Sequence, residues 1–259
     1  MTSIQAATPD KIECYRDNFD SQLLGLNAFK LWLYDPVRDA DEITACLEGK
    51  AADAVFCFTN FHHANFRALQ ALGFDLISVR NTYEMPIASL IVVSGISEIL
   101  EVAGVALLRA SVARDRILPA HLAVLADVIG ATSRYYKDQR IAPQKAHAVY
   151  TTWLNNSVFN GYAAESILAF QGSRLVGIHT VKVKNDIGVI DLIGVTPDMQ
   201  GSGVGRALLD AGIDAMRERG ATRVEVTTEN ENIQGSRFYQ KQGFKLASMM
   251  TVWHKIKSA

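Results

Sequence analysis

The sequence is short of cysteine, of surplus charge and of long apolar runs, and each shortage closes off a class of function. Three cysteines, Cys14, Cys46 and Cys57, are too few and too irregularly spaced for a disulfide framework or a zinc site, and the odd count leaves one thiol unpaired. No metal is therefore expected, and a reducing compartment suits the free thiols. With 26 Lys and Arg against 27 Asp and Glu, the formal net charge is −1, so there is no broad positive field of the kind that neutralises nucleic-acid phosphates. An anionic ligand must be met locally. The longest apolar stretch, around Ala88–Val93, is far short of the roughly 18 residues that a membrane span needs. Met1 to Ala6 show neither the basic nor the apolar region of a secretory leader. The expectation is a cytoplasmic protein without nucleic-acid partner or membrane span.

What is present reads as a soluble α/β chain of 259 residues, long enough for one large core or two small ones. Pro143 suits the first turn of a helix, and Ala146, Val149, Tyr150, Trp153 and Leu154 give that helix one apolar face. Three strand-like runs follow, Ser166–Phe170, Leu175–Lys184 and Val189–Val195, with turn residues between them that predict an antiparallel meander. After Val195 the apolar period changes from two to 3.6: Val204, Ala207, Leu208, Ala211 and Ala215 form one stripe of a helix closed by Gly220. A strand over Arg223–Thr228, a short helix over Gln234–Gln242 and a last strand over Phe244–Lys255 complete the order. A meander followed by alternating strands and helices predicts a mixed α/β (α+β) sheet flanked by helices.

The first half is less legible, but a shift of 170 residues lays Ala54–Thr59 on Val224–Glu229 and Leu72-Gly73-Phe74 on Gln242-Gly243-Phe244. The pattern reads as a degenerate internal repeat. Ala88–Leu118 is expected to be a connecting region, Pro119 opens a helix to about Gly130, and the boundary between two units, 1–100 and 101–259, falls in between.

Between the third meander strand and the long helix lies Gln200-Gly201-Ser202-Gly203-Val204-Gly205. Glycines at alternate positions let main-chain N–H groups converge without Cβ obstruction, and the helix start adds its positive dipole end, an arrangement suited to a diphosphate. A plain turn, a P-loop and a dinucleotide site are the rivals. The P-loop lysine is absent, and neither the glycine spacing nor the preceding meander suits a dinucleotide fold.

With Val195-Thr196-Pro197 before it and Asn232, Tyr239 and Gln242-Gly243-Phe244 after it, this loop closely resembles the GCN5-related N-acetyltransferase (GNAT) superfamily over about Ser166–Lys255. The resemblance implies the GNAT fold and acetyl-CoA as cosubstrate. It further implies that Gln200, Gly201, Ser202, Gly203, Val204 and Gly205 hold the diphosphate, and that Ile193 and Val195 give main-chain contacts to the pantetheine arm. Asn232 is open between capping a helix and binding the cofactor, and the resemblance favours the cofactor. Arg206 and Lys241 are candidate partners for its other phosphates.

Acyl transfer to an amine needs a free nucleophile, a donor to the developing oxyanion and stabilisation of the departing thiolate. Tyr239 is the candidate general acid. Its ordinary pKa of about 10 lies near the thiol's value of about 8.5, so a hydrogen bond already helps. For a base, Asp191 shares a strand face with Ile193 and Val195, and His179 has a suitable ordinary pKa near 6.5. Both stay open, against the plainer readings of a surface carboxylate and a structural histidine.

Acceptor recognition is expected from Ser133-Arg134-Tyr135-Tyr136-Lys137-Asp138-Gln139-Arg140, a mixture able to bond sugar hydroxyls, stack on a base and pair a diphosphate. With Tyr150, Trp153 and Asn156-Ser157, and with Asp20-Ser21-Gln22-Leu23-Leu24-Gly25 near the start, this segment resembles the dTDP-fucosamine acetyltransferase group, whose first half is a truncated GNAT-like unit. Leu69 stands at the place of Tyr239 in that half, which has no glycine loop. Leu24 stands where the group favours phenylalanine, and Ser78 and Val79 lie near a position where some members carry an acid.

By this resemblance the acceptor is the amino group of a nucleotide-linked 4-amino-4,6-dideoxy sugar, attacked directly in a ternary complex, with Arg134, Tyr135, Trp153 and His179 as substrate contacts and surface polysaccharide assembly as the destination. A GNAT acting on another amine and a non-catalytic CoA-binding protein are the alternatives. A homodimer is the default assembly.

Overall fold

The computed structural model describes residues 11–37, 39–87 and 104–257. Met1–Ala6, the apolar stretch Ala88–Val93 and the expected boundary at residue 100 lie outside these. Ten strands form one mixed sheet: β1 (Ile12–Arg16), β2 (Ala28–Leu33), β3 (Ala54–Thr59), β4 (Asp75–Pro86), β5 (Ala106–Arg109), β6 (Glu165–Gln171), β7 (Arg174–Lys184), β8 (Ile187–Val195), β9 (Arg223–Glu229) and β10 (Lys245–Ile256). Their spatial order is β1-β2-β3-β10-β4-β9-β8-β7-β6-β5. The β2–β3 and β8–β9 pairs are parallel and the others antiparallel.

Helices cover both faces. On one lie α1 (Asn18–Leu24), α4 (Ala110–Ala113), α5 (Pro119–Gly130), α6 (Arg134–Lys137) and α7 (Pro143–Phe159), packed on Phe56, Phe58, Leu168, Phe170 and Val252. On the other lie α2 (Ala40–Leu47) and α3 (His63–Ala71) over Leu31, Val55 and Cys57, and α8 (Val204–Arg217) and α9 (Ile233–Lys241) over the second half of the sheet. Strand β3 is buried at every position, which is why it reads as an uninterrupted apolar run instead of an alternation.

The second half follows the sequence closely. The meander is β6–β8, the expected helices are α5, α7, α8 and α9, and the last strand is β10. The expected connecting region is more ordered than its composition implied, since Ala106–Arg109 adds an edge strand on β6 and α4 follows at once. Strands β1 and β2 with helices α1 and α2 were not legible in the sequence.

The 170-residue offset carries α3 onto α9 and β4 onto β10 residue for residue. Gly73 and Gly243, at φ of 74° and 94°, both end the helix in the left-handed region that glycine alone adopts without strain. The N-caps correspond too: the His62 side chain accepts from Ala64 N, and Asn232 accepts from Gly235 N.

The two repeats exchange their last strands. β10 lies against β3 instead of β9, β4 lies against β9 instead of β3, and the two exchanged strands pair with each other from Lys245/Glu84 to His254/Asp75. Neither half therefore closes its own sheet. Separately expressed residues 104–257, in which β10 has neither neighbour, should lack a cooperative thermal transition in circular dichroism, whereas the whole chain melts in one step; a fragment that melts cooperatively would contradict the exchange.

Candidate functional site

The site begins where two parallel strands part. β8 stays paired with β7 as far as Val195, and β9 stays paired with β4 as far as Glu229, but β8 and β9 pair with each other only from Ile187/Arg223 to Ile190/Val226. Asp191 marks the parting, as the extra residue of a bulge where Thr180 faces Leu192 and Val181 faces Ile190. A bulge adds twist and turns the strand away from its neighbour. Beyond it the facing edges of β8 and β9 diverge, leaving main-chain groups available to an extended ligand.

The glycine loop lies at the far end of β8. Gly201 and Gly203 sit at φ of 78° and 92°, so glycine is required at both, and a Cβ at Gly201 would meet nothing within 4 Å. Gly203 caps α8 without a side-chain hydrogen bond, leaving first-turn N–H groups to an external anion. Gly205 differs from the expectation of three equivalent glycines: it lies in the first helical turn, where a Cβ would make only ordinary contacts with Val195 and Phe238. Gln200 donates to Val195 O (3.2 Å) and accepts from Gln234 (3.1 Å), and the Ser202 hydroxyl donates to Met199 O (2.6 Å). Both brace the loop from within. Arg206 is tied to Asp210 at 2.7 Å and to Gln242, and Val204 is fully buried in the core.

A cleft of about 360 Å³ opens from the parting and is walled by both halves of the chain. Ile193, Asn232 and Tyr239 line it from the α8/α9 side, and Trp153, Arg134 and Tyr135 from the α6/α7 side, where Asp191 also points because the bulge turns it to the face opposite Ile193. Tyr239 is 5% exposed, and its hydroxyl has no hydrogen-bond partner among the described residues. Burial raises its pKa well above the ordinary tyrosine value, which keeps the phenol protonated and a donor. Asn232 proves to be a cap: Oδ1 accepts from Gly235 N (2.9 Å) and Nδ2 donates to Thr228 (2.9 Å). A Cβ at Gly235 would fall 2.5 Å from the Asn232 side chain, which explains that glycine.

Asp191 is held at both oxygens, by the Trp153 indole N–H at 2.7 Å and by Lys182 at 2.8 Å. Both carboxylate oxygens are thus already engaged within the protein. It fixes Trp153, which stacks on Tyr150 with ring centroids 5.9 Å apart.

Residues 131–244 match the family model described as the acetyltransferase (GNAT) family. Over those residues the chain resembles a GNAT domain.

Similar curated proteins include a mycothiol acetyltransferase of Propionibacterium freudenreichii, 40% identical over 82 residues, 30% of this chain and 26% of that one. The spore coat polysaccharide biosynthesis protein SpsD of Bacillus subtilis is 25% identical over 122 residues, 47% of this chain and 42% of that one. The chain thus spans less than half the length of these relatives in each match. Among solved structures, a GCN5-related N-acetyltransferase from Sphaerobacter thermophilus superposes at a TM-score of 0.57 with 13% identity, covering 94% of this chain and 75% of that one. At that identity the likeness is one of fold, and it extends over the first half.

One expectation for the site is corrected. His179 does not line the cleft: its side chain is wholly buried beneath α8, with Nδ1 2.8 Å from Leu208 O, and a Cβ at Gly212 would fall 2.1 Å from it. Burial lowers its pKa to about 4, so it is a neutral packing residue and neither base nor substrate contact.

Arg134 and Tyr135 do reach the cleft wall, but their polar ends are already occupied. Arg134 donates to Asp20 (2.9 Å) and to the Tyr135 hydroxyl (2.5 Å), which itself donates to Asp20 (2.7 Å). His254 of β10 extends the network, donating from Nδ1 to Asp138 (2.8 Å) while its Nε2 faces Arg134 at 3.4 Å. The carboxylate and the guanidinium assign the neutral Nδ1–H tautomer. Arg140 closes the chain on Asp138 (2.8 Å) and Asp75 (2.7 Å).

Sequence reasoning missed the wall supplied by the first half, Asp17, Lys30, Trp32, Phe58 and Arg80, and it missed Glu229 of β9 across from Arg80. One signal was available. Ser78, which the resemblance singled out, donates its hydroxyl hydrogen to Glu229 of β9.

His179 and His254 both have pKa values lowered to about 4, chiefly by burial. Between about pH 6.5 and 4 the unfolded chain takes up a proton at each that the folded chain does not, so stability is full above that window and falls as pH drops through it. The loss is at most roughly 3 kcal/mol per histidine. Urea denaturation at pH 7, 6, 5 and 4.5 should show a falling midpoint, less steeply for His254→Gln; a flat profile would contradict the assignment.

Proposed function

We propose that the protein transfers an acetyl group from acetyl-CoA to the amine of a nucleotide-linked 4-amino-4,6-dideoxy sugar, by direct attack in a ternary complex. The observation that carries this reading is the parting of β8 and β9, which opens beside the buried Tyr239 hydroxyl into a cleft walled by both halves of the chain. The glycine loop and the first turn of α8 suit the diphosphate of acetyl-CoA, and the open edge of β8 at Ile193 suits its amide-bearing arm. Acetyl-CoA when bound supplies the activated acyl group. Tyr239 serves as a fixed donor to the departing sulfur. Because burial makes the phenol a weaker acid, its contribution is a hydrogen bond more than a completed proton transfer.

Asp191 positions Trp153 and needs no part as a base, since a sugar amine is already partly neutral near neutral pH. Residues 1–100 act as a truncated GNAT-like unit without a catalytic tyrosine, with Leu69 in its place, and supply the acceptor wall. Similarity to a mycothiol acetyltransferase and to a spore coat polysaccharide biosynthesis protein supports acetyl transfer and a carbohydrate setting. A polycationic amine suits the cleft less well. Asp17 pairs with Lys30, Asp191 with Lys182, and Glu229 stands across from the cation Arg80, so among the described residues the cleft has no unbalanced acidic wall.

The test is thiol release from acetyl-CoA over a panel of dTDP-, UDP- and GDP-linked 4-amino-4,6-dideoxy sugars, with aminoglycosides and polyamines as comparison. A nucleotide sugar should be preferred, and Tyr239→Phe should lower kcat about 100-fold with little change in the acceptor KM. Preference for a polyamine would overturn the acceptor, and unchanged turnover in Tyr239→Phe would overturn the role of the phenol.

A further inference from the structure

Among the described residues, three cations line the cleft, and they are not equivalent. Arg134 is occupied by Asp20 and Tyr135 within a buried network. Lys30 is paired with Asp17 at 2.6 Å. Arg80 donates no hydrogen bond to any described residue: its nearest carboxylate oxygen, on Glu229, is 3.9 Å from Nε, and that Nε is sheltered from solvent without a partner. Arg140, the other cation that the sequence offered for a diphosphate, is bonded to Asp138 and Asp75.

The sheet register shows what surrounds Arg80. Trp32 lies across from Phe58, Phe58 from Val252, and Val252 from Ser78, and Arg80 is two residues further along β4. Side chains two apart on a strand share a face. Arg80 therefore stands on the face that carries the stacked pair Trp32 and Phe58, ring centroids 4.5 Å apart, with its own guanidinium carbon 6.0 Å from the Phe58 ring. Glu229, the one acid across from it, is drawn toward the Ser78 hydroxyl, which loosens its hold on Arg80.

An arginine presents five N–H donors in a planar fork that matches phosphate oxygens, and leaving them unpaired in a sheltered position is unfavourable. We propose that Arg80 is the anion anchor of the acceptor site: it binds the diphosphate of a nucleoside diphosphate, with the aromatic pair beside it as the wall for the base. The proposal rests on the acetyl-transfer reading above only for the identity of the sugar attached to that diphosphate. The phosphates of acetyl-CoA are a separate matter, because the glycine loop that suits them does not line this cleft.

The probe is dTDP, titrated calorimetrically into the full chain already saturated with CoA, so that binding at the glycine loop is blocked. Wild type should bind it, Arg80→Ala should weaken binding about 10- to 100-fold with CoA affinity unchanged, and Arg80→Lys should fall between. Retained CoA affinity certifies that a variant is folded; if Arg80→Ala fails that check, Arg80→Gln and Arg80→Lys carry the comparison. In steady-state assays the KM for the nucleotide-linked sugar should rise by the same factor in Arg80→Ala, while the KM for the free amino sugar stays put. Equal dTDP affinity in wild type and a folded Arg80 variant overturns the proposal. So does a wild type that binds no dTDP and acetylates free and nucleotide-linked sugars alike, although acetyl transfer itself then stands. A wild type that binds dTDP through Arg80 yet acetylates no amino sugar supports the anchor and sinks the acceptor reading.

Discussion

The antiparallel pairing of β4 with β10 is the interaction on which the site depends. By crossing into the other half, β4 becomes the outer neighbour of β9 and holds it along its whole length, while β7 does the same for β8. Each strand is thus fixed on its outer edge, and the two can separate past Ile190 and Val226 without either losing its place in the sheet. A parting of parallel strands elsewhere would leave edges that invite aggregation or collapse. Here the exchange makes the opening a stable feature of a continuous sheet, and the sheet in turn brings Arg80 and Glu229, 149 residues apart in sequence, into direct register.

A second tie between the halves lies on one face of that pairing. Asp20 from α1, Arg134 and Tyr135 from α6, and His254 from β10 meet away from solvent, and Arg140 reaches Asp75 on β4. Burying charges costs several kcal/mol of hydration, which a good ion pair offsets only in part, so such a network is a poor source of net stability. Its value lies in registration. Burial alone would raise the Asp138 carboxyl, but the hydrogen bonds from His254 and Arg140 hold it well below the usual range, so each charge has one arrangement that satisfies it. The wall that carries Trp153 and Tyr150 is thereby set against the wall that carries Trp32, Phe58 and Arg80.

What the sequence disclosed followed the range over which its signals act. Turn residues, helical stripes and the glycine loop are local, and they located β6 through β10, α5 and α9 to within about two residues and the starts of α7 and α8. The repeat was visible because Gly73 and Gly243 meet the same local demand at the end of a helix. The strand exchange was not visible, since pairing β10 with β3 or with β9 leaves the same alternation in each strand. Site residues divided in the same way. Tyr239, Asn232 and Asp191 were found in the cleft because they sit on elements whose position the loop fixes, whereas Lys30 and Arg80 belong to the site only through the exchange. The polar segment Arg134–Arg140 was legible as unusual, but whether its charges meet ligand or protein depended on Asp20 and Asp75, distant in sequence.

Charge in the cleft follows from the same constraint. A chain of net charge −1 has no surplus to spread over a binding surface, and most cations around this cleft meet a carboxylate at close range. Where one does not, the departure is local and geometric: Glu229 is drawn to Ser78, two residues before Arg80 on the same strand. The glycine loop follows a related logic with main-chain donors in place of a side chain. The two places suited to an anion, one at the start of α8 and one on β4, lie on either side of the parting strands, with Tyr239 beside the opening between them. That order suits the proposed transfer between two phosphate-bearing molecules: each would be held by its anion at an outer end, with the two reactive groups near the phenol.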